Sequence, residues 1–236
     1  MRWFFLILLT LLCGCTPTKI DKGFLYTAGD WTLPPAYHGN PWSPGGVGVA
    51  ANYIYEPLFS YIPATQEYLP RLGQSFEESP DGRTLTVKLR HGAVWHDGQP
   101  FTSRDVETTF LIGYLKNLEI WSYLDYIECL DQETVRFHWL RLSPTNRGQA
   151  LTEAITSASH LFGQYRDGVL ELQKRNPRGT VISDQTLQAE SKVREVLFSD
   201  RPAMPVGTGP FSLQRVTASD MVLRKFPGYY DAAQVH

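Results

Sequence analysis

At 236 residues the chain can form one large or two small domains, and a hydrophobic share of 42% excludes a disordered polymer. Its 22 basic and 24 acidic side chains leave a formal charge of −2, which excludes nucleic acid as a main partner, because phosphate binding needs a clustered positive excess. Aromatic residues reach 13%, and scattered proline and glycine predict many turns and short elements.

The first residues read as a targeting segment. Arg2 forms a short positive region, and the apolar run 3–12 is shorter than the ~20 residues needed to span a bilayer. Leu12-Cys13-Gly14-Cys15 resembles a bacterial lipobox, with Gly14 as the small residue before the lipidated cysteine. This predicts a signal peptide over 1–14, lipidation of Cys15, a polar tether over 15–23 and anchoring to the cell membrane, facing the periplasm or exterior. An ordinary signal peptide or an uncleaved anchor is the alternative. With Cys15 lipidated only Cys129 remains, so neither an internal disulfide nor a cysteine zinc site is expected.

FLYTAG (24–29) reads as a first strand. Residues 30–48 carry four prolines and four glycines, which exclude regular structure, together with Trp31, Tyr37 and Trp42. An irregular, aromatic-rich segment either packs over a core or lines a ligand cleft. Residues 49–61 start as a helix that stops near Pro57. Leu85, Val87 and Leu89 alternate with polar residues after the turn Pro80-Asp81-Gly82, and Val135, Phe137 and Trp139 repeat that alternation. Both segments are predicted half-buried strands, with His138 solvated on the opposite face.

Val106, Phe110, Leu111, Tyr114 and Leu115 share one face of a helix starting near Thr102. Residues 150–158 predict a shorter helix. Residues 185–198 predict another, capped by Ser183 or Asp184. The polar stretch 166–180 reads as an exposed loop, and FSLQRV and MVLRKF as a hairpin. Mixed strands and amphipathic helices define an α/β or α+β domain.

LRHGAVWHDGQPFTSRDV (89–106) contains two histidines five apart, His91 and His96, with Asp97 beside the second. Folding roles explain nearly all of it. Arg90-His91-Gly92 ends a strand, and Asp97-Gly98 makes a tight turn. Thr102 and Asp105 form a capping-box-like helix start, with Phe101 and Val106 as its staple. A glycine-rich turn does not offer the helical spacing of zinc histidines, and no third ligand follows. No GxSxG, HExxH or P-loop motif is present, and VGTGP (206–210) lacks the phosphate-binding lysine. The chain is expected to be no enzyme and to need no metal or cofactor.

YEPLF (55–59), PDGRTLTVKLRHGAVWHDGQPFTSRDV (80–106), PVGTGPF (205–211) and the closing KFPGYY together resemble the family 5 extracellular solute-binding proteins, the peptide, nickel and oligosaccharide receptors of ABC importers. The resemblance implies a periplasmic-binding-protein-like type II fold, a Venus flytrap that closes on ligand between two lobes without catalysis. Family members are about twice as long. The resemblance therefore implies that 24–236 form a first-lobe portion, an incomplete flytrap lacking most of the second lobe, which alone binds ligand weakly or not at all.

From the resemblance the expected ligand contacts are Asp30, Trp31 and Trp42 after the first strand, and Trp121 and Tyr123 in WSYLDY (121–126). Packing in the core is the alternative for each. The expected partners are a peptide or oligosaccharide ligand and an ABC permease, for a monomer held by its lipid. A nonfunctional fragment, or a lipoprotein hydrolase using the histidines and carboxylates, are the alternatives in other classes.

Overall fold

The computed structural model describes residues 24–25, 37–46, 48–175, 183–217 and 220–235. The signal peptide, the tether, Cys15, Asp30 and Trp31 lie outside them. In chain order the elements are β1 (Phe24–Leu25), α1 (Ala51–Ile54), β2 (Glu56–Pro57), β3 (Phe59–Ile62), β4 (Glu67–Pro70), β5 (Gly73–Glu78), β6 (Thr84–Leu89) and α2 (Ser103–Leu115). There follow β7 (Leu124–Asp131), β8 (Thr134–Trp139), α3 (Asn146–Thr152), β9 (Ala154–Ile155), α4 (Ser159–Arg175), α5 (Asp184–Ser199), β10 (Phe211–Val216) and β11 (Met221–Lys225).

The largest sheet is antiparallel, in the order β5-β6-β8-β7. Its register pairs Leu85 with Phe137 and Val87 with Val135, so both alternating stretches turn their apolar side chains to one face. That face is buried under α2, where Phe110 meets Phe137 edge to face at 5.1 Å. The opposite face is less open than the alternation predicts. His138 stacks on Tyr126 with centroids 4.0 Å apart, and its Nε2–H donates to Glu128 at 2.9 Å. The cross-strand neighbours cover most of the imidazole, leaving its side chain 19% exposed.

The start of α2 follows the expected chemistry. The backbone N–H of Thr102 donates to Asp105 Oδ2 at 2.7 Å, satisfying a donor that the helix start leaves free. Asp105 Oδ1 also accepts from the backbone N–H of Ser159 at 2.6 Å, so one carboxylate caps α2 and ties down the start of α4. Phe101 and Val106 are both buried.

Three expectations change. The stretch from 166 onward is not a loop as far as Arg175, because α4 continues through it. Phe162, Tyr165, Val169 and Leu172 bury one stripe of that helix, and Arg166 is held by Glu107 of α2 at 2.7 Å. Counting the polar residues hid a stripe that needs only one position in three or four. Within 150–158 the helix ends at Thr152, and Ala154–Ile155 instead pairs antiparallel with β2. Within 49–61 the helix is the single turn α1, preceded by a 3-10 turn, and the chain is already extended at Tyr55. α5 matches its expected span, and Ser183 Oγ accepts from Thr186 N at 3.2 Å as its cap.

A smaller sheet, β1-β11-β10, contains the expected hairpin. It packs on α1 through a second cluster formed by Ala50, Ile54, Tyr55, Phe211, Leu213 and Leu223. Among the described residues no helix is long and apolar enough to cross a membrane.

Candidate ligand-binding face

The described part of the irregular segment, 37–46, is fastened to the end of α5. The buried Asn40 donates from Nδ2 to the carbonyl oxygens of Leu197 at 2.7 Å and Asp200 at 3.2 Å, and its Oδ1 accepts from Trp42 N at 2.9 Å. His38 accepts from Asn40 N on Nδ1 and donates from Nε2 to Pro44 O, which fixes a neutral tautomer. Trp42 packs into the main core, and its indole N–H donates to Ser157 Oγ at 2.8 Å.

Trp121 and Tyr123 sit at the turn between α2 and β7. Trp121 is buried. Its indole N–H donates to Phe110 O at 2.7 Å, and its ring meets Tyr114 edge to face. Tyr123 is half-buried, with the Arg141 guanidinium 5.7 Å from its ring centroid. Of the three expected contact residues that are described, Tyr123 is therefore the one with surface to offer, and both indole N–H groups have partners inside the chain.

The two histidines serve different places. His91 is exposed and pairs with Glu133 across 2.5 Å. His96 is partly covered. Its Nδ1 accepts from Gly207 N at 3.2 Å, and its Nε2–H donates to Gly209 O at 2.9 Å. Burial lowers the His96 pKa, since the charged form loses hydration, and both ring nitrogens are engaged as the neutral imidazole requires. The VGTGP segment is thus a structural strap. Gly209 N donates to Ile54 O at 2.8 Å, and the backbone passes so close to α1 that a Cβ on Gly207 would lie 2.0 Å from that oxygen. Among the described residues no group of three His, Cys, Asp or Glu could hold a metal ion.

A polar cluster that sequence reasoning missed lies between β2 and the segment after β11. Glu56 is buried, and its Oε1 accepts from Tyr229 OH at 2.7 Å and Tyr230 OH at 3.2 Å. Arg71 and Arg90 stand near enough for their charges to act on it. Burial pushes the Glu56 carboxyl above the usual carboxylate range, against the opposing pull of these four neighbours. YEPLF and KFPGYY each stood out as motifs, but a separation of 173 residues leaves no signal that they meet.

This architecture is the mixed α/β fold of type II periplasmic binding proteins. It is similar to the mannohexaose-bound periplasmic oligopeptide-binding protein of Thermotoga maritima (TM-score 0.59, 23% identity, covering 84% of this chain and 33% of that one). It is also similar to NikA of Brucella suis in complex with Fe(III)-EDTA (TM-score 0.56, 21% identity, 84% and 36% covered). Residues 67–236 match the model of the bacterial extracellular solute-binding proteins, family 5 (middle), and the chain belongs to that family. Among its relatives are a provisionally named ABC transporter peptide-binding protein of Brucella ovis (28% identical over 173 residues, 71% of this chain) and the glutathione-binding protein GsiB of Escherichia coli K12 (27% over 186 residues, 76% of this chain). A 50-residue stretch is 48% identical to the periplasmic alpha-galactoside-binding protein of Rhizobium meliloti, covering 21% of this chain and 7% of that protein. The chain spans 28% of the length of the Brucella relative and 30% of GsiB. These relatives are named as solute-binding proteins, not as enzymes.

Proposed function

We propose that this chain belongs to the substrate-binding component of an ABC importer, which captures an oligopeptide or similar small solute outside the membrane and delivers it to a permease. Residues 24–236 then supply a first-lobe portion of the receptor, and Cys15 carries the lipid that moors it. The observation that carries this reading is the family match over 67–236, on a fold that also resembles solved oligopeptide- and metal-chelate-binding proteins. Binding without catalysis is consistent with two histidines engaged on Glu133 and on the VGTGP strap. Tyr123 is the foremost of the contact residues, with Asp30 and Trp31 as further members of the ligand face, while Trp42 and Trp121 belong to the core beneath it.

The test is uptake by cells lacking the gene, measured with a labelled peptide pool and with labelled oligosaccharides. Loss of peptide uptake supports the proposal, and unchanged uptake of both would falsify it. Loss of oligosaccharide uptake alone supports the second reading, a sugar receptor, which the stretch shared with the alpha-galactoside-binding protein favours. Radiolabelled palmitate should enter the wild-type chain and be absent from the Cys15→Ser variant.

A further inference from the structure

The Glu56 cluster holds more than its hydrogen bonds require. Oε1 receives both tyrosine hydroxyls, whereas Oε2 is buried with no partner. Two guanidiniums are close by, yet each directs its Nε elsewhere: Arg71 to Ser60 Oγ at 3.1 Å, and Arg90 to Arg71 O at 2.7 Å. Arg90 lies instead over the Tyr230 ring, with Cζ 4.3 Å from the centroid. A buried carboxylate with an open oxygen and two cations in its field is an arrangement that should collapse into an ion pair, because an unpaired buried charge is costly. The guanidinium resting on an aromatic face and the vacant Oε2 fit a carboxyl that carries its proton.

We propose that Glu56, Tyr229, Tyr230 and Arg90 form a proton-operated latch between β2 and the segment following β11, with two seats for the Arg90 guanidinium. With Glu56 protonated, Arg90 sits on Tyr230 and the tyrosines hold the carboxyl. When the proton passes to solvent, Oε2 becomes an anionic acceptor and draws Arg90 off the ring. Cation–π attraction and a hydrogen-bonded ion pair are comparable in strength at partly buried sites, so one proton can decide between them. Tyr229, Tyr230, Arg71 and Arg90 are the titratable and charged groups facing Glu56 from the packed elements. Burial raises its pKa, so the folded chain holds this proton more tightly than the unfolded chain does. The latch's contribution is therefore full at pH below the unfolded value and fades as pH rises through the folded one. The segment it holds packs against the main core through Tyr230 and against the second cluster through Val235, so the latch tethers a segment that touches both clusters. This inference is independent of which solute the receptor takes.

The test is carboxyl-carbon NMR of the full 236-residue chain in detergent, with labelled glutamate, together with the Arg90 guanidinium signals. Glu56 is assigned by its loss in Glu56→Gln, or by its displacement in Tyr230→Phe if the first variant does not fold. The expected result is a Glu56 midpoint above those of the exposed glutamates, with the Arg90 signals moving through the same midpoint and losing their ring-current shift. A Glu56 carbon that titrates with the exposed glutamates overturns the proposal. So do Arg90 signals that stay fixed while Glu56 ionises.

Discussion

The imidazole of His96 and the carbonyl of Gly209 are 2.9 Å apart across a sequence separation of 113 residues, and the same ring accepts the N–H of Gly207. One side chain on the turn after β6 therefore holds the strap that leads into the small sheet. The backbone N–H of His96 adds a bond to Gly207 O at 2.8 Å.

This relationship sets a pH dependence. Burial lowers the His96 pKa, so the unfolded chain takes up a proton at higher pH than the folded chain does. The histidine's contribution is full above its unfolded value, about 6.5, and is lost as pH falls through the folded value. His96→Ala should cost ~1–3 kcal/mol at pH 8, the usual cost of leaving buried partners unpaired. Melting curves of both proteins from pH 8 to 5 should show the gap narrowing; a gap that stays constant counts against the strap.

Glycine substitutions should separate close approach from backbone conformation. Gly207→Ala places a Cβ 2.0 Å from Ile54 O, and neither backbone can yield cheaply. Gly92 has φ +74° with open space around the missing Cβ, so Gly92→Ala meets conformational strain alone. The expected costs are ~3 kcal/mol or more for the first and ~1 kcal/mol for the second. Urea denaturation midpoints would decide, and equal losses would contradict the close-approach account.

Asp105 joins two helix starts and Thr102 caps only one of them. Asp105→Ala should therefore cost more than Thr102→Ala, with ~2–3 kcal/mol expected against ~1 kcal/mol. Hydrogen exchange at the Ser159 amide gives an independent readout. It should quicken in Asp105→Ala and stay slow in Thr102→Ala.

The ligand face is tested by pairing melting with binding in the complete receptor. Trp121→Ala empties a buried site and abandons the Phe110 carbonyl, so a loss of ~3–5 kcal/mol is expected. Tyr123→Ala removes a half-buried ring and should leave the melting temperature within a few degrees of wild type. Weakened solute binding by Tyr123→Ala with unchanged melting places that residue at the ligand. Unchanged binding removes it from the face.

What was legible in the sequence followed from short-range physics. A period of two placed β6 and β8, because an antiparallel strand with one covered face must alternate. Thr102 and Asp105 marked the start of α2, and Ser183 that of α5, because caps satisfy backbone donors within three residues. α4 was overlooked because its charged majority masked the stripe 162, 165, 169 and 172, and charge along a helix says little when one narrow face is enough to bury it. His138 was misjudged because alternation tells which face a side chain takes but not what stands beside it there.

Read as a string, the residues determined β6 and β8, the starts of α2 and α5, and the family, since each rests on short motifs or on patterns within a few dozen positions. The tertiary structure alone decided that His96 meets Gly209, that Asn40 fastens the irregular segment to the end of α5, and that Glu56 lies beneath Tyr229 and Tyr230. These contacts form only when burial brings distant segments together. Removing water is what makes each such polar group require a partner, and that requirement leaves no periodic trace in the order of the residues.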